Sequence, residues 1–274
     1  MAETAYFSGE NIGAFALCGA LCILIPVLML IIYKRRNKDV PLSPFFIGCG
    51  IFVVFALVLE SLLHQVMIPI VSGNVWAYAL YGAFAAGIFE ETGRLAAFGL
   101  LMKKHDDPRT ALMYGMGHSG IEAILLVGVT MLSYIVVAAT VNSVGLESAV
   151  QLYSAGQPEN AELIRQQFEM LRSMSMGNAL ISVYERIIAI TVHISLSAVV
   201  FAAVKVKGKG WLYVLAVLLH ALLDLPAAFY QKGALTAPLL YVVLTLITGV
   251  MVFVGVKCFK LAKKNMTVSD EICE

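Results

Sequence analysis

Several apolar segments of this sequence carry ionisable side chains near their middles. The densest group is Glu90, Glu91 and Arg94, inside an apolar run over residues 75–102. Residues four apart share a helical face, so the spacing predicts an internal ion pair between Glu90 and Arg94. A charged residue at the centre of a bilayer costs about 2.5–3.5 kcal/mol on insertion scales. We therefore expect other polar side chains to meet these three.

Three further apolar segments supply such side chains at a similar depth. In two of them a histidine precedes a carboxylate by four residues, which places both on one helical face. The residues are His118 with Glu122, His220 with Asp224, and His193, whose own segment also carries Glu185 and Arg186. Left unpaired, the seven charged residues would cost on the order of 20 kcal/mol, more than a typical fold can spare. The sequence therefore predicts one polar cavity between the third, fourth, fifth and sixth spans.

Carboxylates and imidazoles around a buried cavity can activate water in two ways. His118, His193 and His220 suit a Zn²⁺ ion with an open position for water, with a neighbouring glutamate as general base. Without metal, a glutamate takes the proton from water while the histidines and Asp224 stabilise the oxyanion and the leaving amine. The sequence has no HExxH motif and no GxSxG elbow, and it leaves both alternatives open. For Glu60 and His64, nearer the outer end of their segment, a structural or rim role is favoured.

The composition predicts the elements that position these residues. With 60% hydrophobic and 14% charged residues, the 274-residue chain is too apolar for a soluble domain, which indicates a multi-pass protein of the cell membrane. A spanning helix needs about 20 apolar residues. Seven segments qualify, within a single integral membrane domain over residues 1–274: 11–33, 44–70, 75–102, 110–141, 179–204, 211–230 and 236–257. The fold class is an all-α transmembrane helix bundle.

The loops between these segments predict the orientation. Lysine and arginine residues cluster after the first, third, fifth and seventh spans, which places all four clusters on one side if there are seven crossings. The N-terminus is then outside and the C-terminus cytoplasmic, and residues 11–33 are a first span rather than a cleavable signal. The long segment 142–178 lies outside. The second half of this segment has the apolar spacing of an amphipathic helix. The segment as a whole is either a linker or a lid that presents substrate.

Four motifs together resemble the bacterial YhfC family of intramembrane metalloproteases and, more distantly, PrsW and the CAAX-protease and bacteriocin-processing families. They are Glu90-Glu91-x-x-Arg94, the segment from Gly117 to Ala123 with His118 and Glu122, Glu185-Arg186 followed by His193, and His220-x-x-x-Asp224. The resemblance covers about half the chain. It implies a membrane protease in which Glu90 or Glu91 activates water, His118 and His220 bind metal or polarise the scissile carbonyl, and Asp224 supports them. Asp224 stands where the more distant families have asparagine, which favours metal.

Two classes of function follow. The first is an intramembrane peptidase that acts on a membrane protein or peptide in the lipid bilayer. The alternative is a proton- or ion-coupled transporter, because carboxylates and histidines at the midplane also relay protons. No inverted repeat supports transport. Nothing in the sequence points to a nucleic-acid partner.

Overall fold

Every regular element that the structure describes is a helix. The structure is a computed structural model that describes the backbone of residues 5–273 and the side chains of residues 5–267. The helices are α1 Gly9–Arg36, α2 Ser43–Val71, α3 Val75–Ala96, α4 Arg109–Val144, α5 Leu146–Tyr153, α6 Pro158–Arg172, α7 Met176–Lys205, α8 Trp211–Gln231 and α9 Ala237–Cys273. The protein is thus an all-α bundle, as the sequence predicts.

Six of these helices are long and apolar enough to cross a membrane, namely α1, α2, α4, α7, α8 and α9. The protein is a multi-pass membrane protein. Helix α3 falls outside this set because Glu90, Glu91 and Arg94 make it less apolar, so the seventh crossing and the orientation stay predictions. Helix α9 continues to Cys273, past the predicted end of the last span at residue 257, and the bounds of the spans stay predictions. No proline or glycine follows Gly255 to interrupt the helix.

Three helical segments depart from the α-helical hydrogen-bond pattern. Val53–Glu60 within α2, Ala97–Leu101 after α3 and Ala123–Val129 within α4 are π-helical. Each segment lies next to an ionisable residue. Glu60 is the last residue of the first segment, Arg94 lies three residues before the second, and Glu122 directly precedes the third. Such wide turns are frequent at functional sites.

The chain divides into two compact units whose boundaries fall within α1, α4 and α7. The first unit comprises Met1–Leu28 and Ala123–Ile187. Its described core gathers Phe7 and Phe15 with residues of α4, α5 and α6, including Phe168. Asn11 fixes the chain after α6, because its side-chain amide donates to the carbonyls of Arg172 and Met174 at 2.8 Å each.

The second unit comprises Met29–Glu122 and Ile188–Glu274. Its helices approach so closely that glycine is needed at the contacts. A Cβ atom added to Gly87 of α3 would lie 2.8 Å from the carbonyl oxygen of Val217 in α8, and one added to Gly117 of α4 would lie 1.9 Å from that of Phe45 in α2. Small residues allow this backbone approach in membrane bundles. The close contacts set α3 against α8 and α4 against α2.

Candidate functional site

Four helices of the second unit carry the polar cluster. Its side chains are buried, apart from that of Asp224, which is 34% exposed. The members are Glu90, Glu91 and Arg94 from α3, His118 and Glu122 from α4, His193 from α7, and His220 and Asp224 from α8. These four helices correspond to the third to sixth predicted spans.

Glu90 lies at the centre of the three histidines. Its Oε2 atom is 2.8 Å from Nε2 of His118 and 3.6 Å from Nδ1 of His193. Its Oε1 atom is 4.0 Å from Nε2 of His220. All three of these contacts are to imidazole nitrogens, so Glu90 faces the side chains that could act on a water or a metal.

Glu91 has a different environment, although it is the next residue. Its carboxylate accepts hydrogen bonds from the guanidinium of Arg94 and from Nδ1 of His220, the latter at 2.7 Å. Both Glu91 and Arg94 are fully buried. The predicted ion pair between Glu90 and Arg94 is wrong, because Arg94 pairs with the carboxylate three residues before it rather than four.

The hydrogen bonds assign the protons on two of the imidazoles. A guanidinium only donates, and Nη2 of Arg94 lies 3.0 Å from Nδ1 of His193, so this nitrogen is the acceptor. The proton of neutral His193 is then on Nε2, 2.9 Å from a carboxylate oxygen of Glu122. In His220 Nδ1 donates to the carboxylate of Glu91, so in the neutral imidazole the lone pair is on Nε2.

Nε2 of His220 faces two carboxylates. This atom is 3.4 Å from Oδ2 of Asp224 and 4.0 Å from Glu90. His118 donates from Nε2 to Glu90, and its buried Nδ1 has no hydrogen-bond partner among the described residues. The cluster thus directs Nε2 of His220 at carboxylate oxygens and leaves Nδ1 of His118 without a hydrogen bond among the described residues.

Glu90, His193 and His220 fit a metal ion. One donor atom from each lies within 4.8 Å of the others, and all three residues are buried. Two imidazoles and a carboxylate are the protein ligands of many catalytic zinc sites, which leave one position for water. Glu91 and Glu122 lie on the outer nitrogens of the two histidines, as carboxylates do in carboxylate–histidine–zinc arrangements. Arg94 must release Nδ1 of His193 for that nitrogen to bind metal.

A cavity of about 240 Å³ reaches the cluster at Asp224. Glu60 and His64 also line it, as does Tyr81. Nε2 of His64 is 3.2 Å from the Glu60 carboxylate, and its Nδ1 is 2.7 Å from the hydroxyl of Tyr81. Asp224, the most exposed member of the cluster, is the residue at which this cavity meets the buried groups.

Sequence reasoning missed two tyrosines beside this cluster. Tyr81 completes the chain of contacts with His64, and nothing in its spacing marks it. Tyr114 lies one turn before His118, with ring centroids 6.0 Å apart, and its buried hydroxyl has no hydrogen-bond partner among the described residues. The spacing of four residues was the available signal.

Glu185 and Arg186 were predicted to support the cluster. The structure places both in the first unit, half-buried on α7, whereas His193 of the same helix is in the second. Their supporting role stays a prediction.

The fold and the cluster define a class: a multi-pass membrane protein with a buried carboxylate and imidazole site suited to a metal. The chain belongs to the YhfC intramembrane metalloprotease family, whose model matches residues 21–246 and so includes the whole cluster. It is 36% identical to the uncharacterized membrane protein YhfC of Bacillus subtilis, over 91% of this chain and 97% of that one. No solved structure matches. The resemblance of the sequence motifs to the YhfC family is confirmed.

Proposed function

We propose that this protein is a metal-dependent peptidase that hydrolyses peptide bonds within or beside the membrane. The observation that carries the proposal is the group of Glu90, His193 and His220, with donor atoms within 4.8 Å of one another in a buried site. The family description supports the same reading. The sequence predicted His118, His193 and His220 as metal ligands. In the proposed site Glu90 replaces His118 as the third ligand.

Each ligand is oriented by a neighbour. His118 donates to Oε2 of Glu90, which leaves Oε1 on the side of His220. Glu91 holds the proton of His220 on Nδ1, so that Nε2 is the donor atom. When bound to these residues, a zinc-type ion supplies Lewis acidity, which lowers the pKa of a bound water and polarises the scissile carbonyl.

Asp224 is the group placed to move the proton. Its Oδ2 is 3.4 Å from His220, and its side chain is the most exposed of the cluster and lines the 240 Å³ cavity. We assign to it the acceptance of the proton from the attacking water and its return to the leaving amine. A positioned acid or base of this kind contributes typically 10²–10⁴ in rate.

Arg94 and Glu91 act as positioning residues. Both are fully buried, and the carboxylate of Glu91 lies between the guanidinium and His220. Arg94 also donates to Nδ1 of His193 at 3.0 Å, a hydrogen bond that has to break before this nitrogen binds the metal. Its single positive charge offsets the negative charge of Glu91, with which it forms a buried ion pair.

Metal analysis of the purified protein tests the ligand set. We expect about one zinc per chain, lost from His193→Asn and from His220→Asn. His64→Asn is the matched control, because His64 lies in the same unit and has a carboxylate four residues away, but is outside the ligand group. Equal metal content in all four proteins, or none in the wild type under metal-replete conditions, would exclude the proposed site.

A second experiment separates the peptidase from a transporter. Membranes with wild-type protein, with Asp224→Asn and with Glu90→Gln are compared for newly formed peptide termini by mass spectrometry. We expect termini that depend on the wild type, are abolished by chelation and fall by at least about 10²-fold in both variants. Solute flux into proteoliposomes without any such termini would instead favour transport.

A further inference from the structure

We propose that a groove between α4, α7 and α9 binds the acyl chain of an anionic phospholipid whose headgroup lies against Lys260 and Lys263. The groove belongs to the second unit and has a volume of about 520 Å³. It shares no residue with the polar cluster or its cavity. The inference therefore stands apart from the proposed peptidase activity.

The groove runs along one face of two helices. Its residues on α9 recur at intervals of three and four, and so do those on α7, which places each set in a single stripe. Leu112, in the first turn of α4, completes the wall. The lining residues are Thr191, Ile194, Ser195 and Ala198 of α7, and Val252, Gly255, Val256, Phe259, Lys260 and Lys263 of α9.

Gly255 gives the groove its floor. A Cβ atom added there would lie 2.9 Å from Cα and Cβ of Ser195, so the backbones of α9 and α7 touch at this point. The larger side chains of Ile194, Val256 and Phe259 form the walls. Both helices are apolar enough to span the membrane, so the surroundings of the groove are hydrocarbon and a lipid chain is the matching occupant.

The charge of the groove is confined to one end. Lys260 and Lys263 are exposed and are the last two lining residues along α9, and no acidic residue lines the groove. An apolar channel with two cations at its end is complementary to an anionic headgroup with an apolar tail. Basic pockets between membrane helices bind anionic lipid headgroups in this manner.

Native mass spectrometry after detergent washing tests the proposal. The full-length protein is released from nanodiscs that contain equal amounts of phosphatidylglycerol and phosphatidylethanolamine. We expect wild type to retain phosphatidylglycerol preferentially, and the double variant Lys260→Glu/Lys263→Glu to lose this lipid by about tenfold. The matched control is Lys257→Glu/Lys264→Glu, which changes the same charge on the same helix outside the groove and should retain it.

A second pair of variants tests the acyl chain. Val256→Trp fills the groove and should reduce retention of both lipids, whereas Val250→Trp alters another exposed valine of α9 and should leave it unchanged. Equal loss in the two lysine variants would show general surface attraction and overturn the proposal. Retention that is indifferent to headgroup, or unaffected by Val256→Trp, would overturn it as well.

Discussion

Glu90 and Glu91 are the same residue type at adjacent positions, and their surroundings give them different roles. Glu90 contacts His118 at 2.8 Å and faces the other two histidines. Glu91 is enclosed by Arg94 and His220 and is fully buried. The Glu91 carboxylate neutralises a buried guanidinium and so stabilises the fold. The Glu90 carboxylate faces several imidazoles and is placed to take part in a reaction.

The substitutions Glu90→Gln and Glu91→Gln should therefore separate activity from stability. We expect Glu90→Gln to lower peptide cleavage by at least about 10²-fold with little change in thermal unfolding, since the amide keeps the shape but loses the anion. Glu91→Gln leaves the Arg94 charge without its paired anion, which we expect to cost about 3 kcal/mol of stability. Thermal unfolding in detergent and a cleavage assay measure the two effects. Equal unfolding temperatures for both variants would contradict this division.

The membership of the site was predictable, and its internal pairing was not. Buried charge is so costly in a membrane that the residue types alone indicate that Glu90, His118, His193 and His220 need partners. Helical spacing shows which residues share a face, but it does not distinguish a partner three residues away from one four residues away. Arg94 pairs with Glu91, three residues before it, and not with Glu90. Tyr81 was missed because it is marked by a contact with His64 of another helix and by its place in the cavity that reaches Asp224, neither of which its spacing reveals.

At the scale of the elements, glycines decide how the site helices pack. Gly48 of α2 lies against α4, where an added Cβ atom would be 2.3 Å from the carbonyl oxygen of Tyr114 and 2.8 Å from the backbone nitrogen of His118. The helix that carries His118 can take its position only because this side chain is absent. Helix α2 thus positions the cluster without contributing a residue to it.

Gly48→Ala should displace α4, and Gly50→Ala should not. A methyl group at Gly48 meets backbone atoms, and such overpacking costs typically 1–3 kcal/mol. At Gly50 nothing lies within 4 Å of the added atom, and alanine favours a helix by up to about 1 kcal/mol over glycine. We expect a lower unfolding temperature and lower metal content only for Gly48→Ala. Equal loss in the control would show that the helix tolerates no change in this turn.

The helices themselves were largely predictable from apolar length, but their π-helical segments were not. The sequence over Ala123–Val129 is as apolar as the helix around it, and no glycine or proline marks where the wide turn begins. Each of these segments follows or contains a polar residue near the cluster. Two of the segments adjoin the buried residues Glu60 and Glu122, and the spacing of apolar residues does not mark where such a turn falls.

For the whole molecule, the number of crossings depends on α3. It lies in the second unit with the cluster, and its 22 residues with the following π-helical segment Ala97–Leu101 are long enough to cross, since about 20 residues suffice. The charged side chains of Glu90, Glu91 and Arg94 are buried within the protein. The lower hydropathy of α3 therefore does not prevent it from crossing the membrane. If α3 crosses, all four basic clusters lie on one side, in agreement with the distribution of charge in membrane loops.

Cysteine labelling on either side of α3 decides this question. Gly73→Cys and Lys104→Cys place a thiol at exposed positions before and after the helix, and Glu159→Cys marks the segment between α4 and α7. With an impermeant maleimide on intact cells, we expect labelling at positions 73 and 159, and labelling at 104 only after the membrane is opened. The unaltered chain gives the background from its native cysteines. Equal accessibility at 73 and 104 would mean that α3 does not cross, and the basic clusters would then lie on both sides of the membrane.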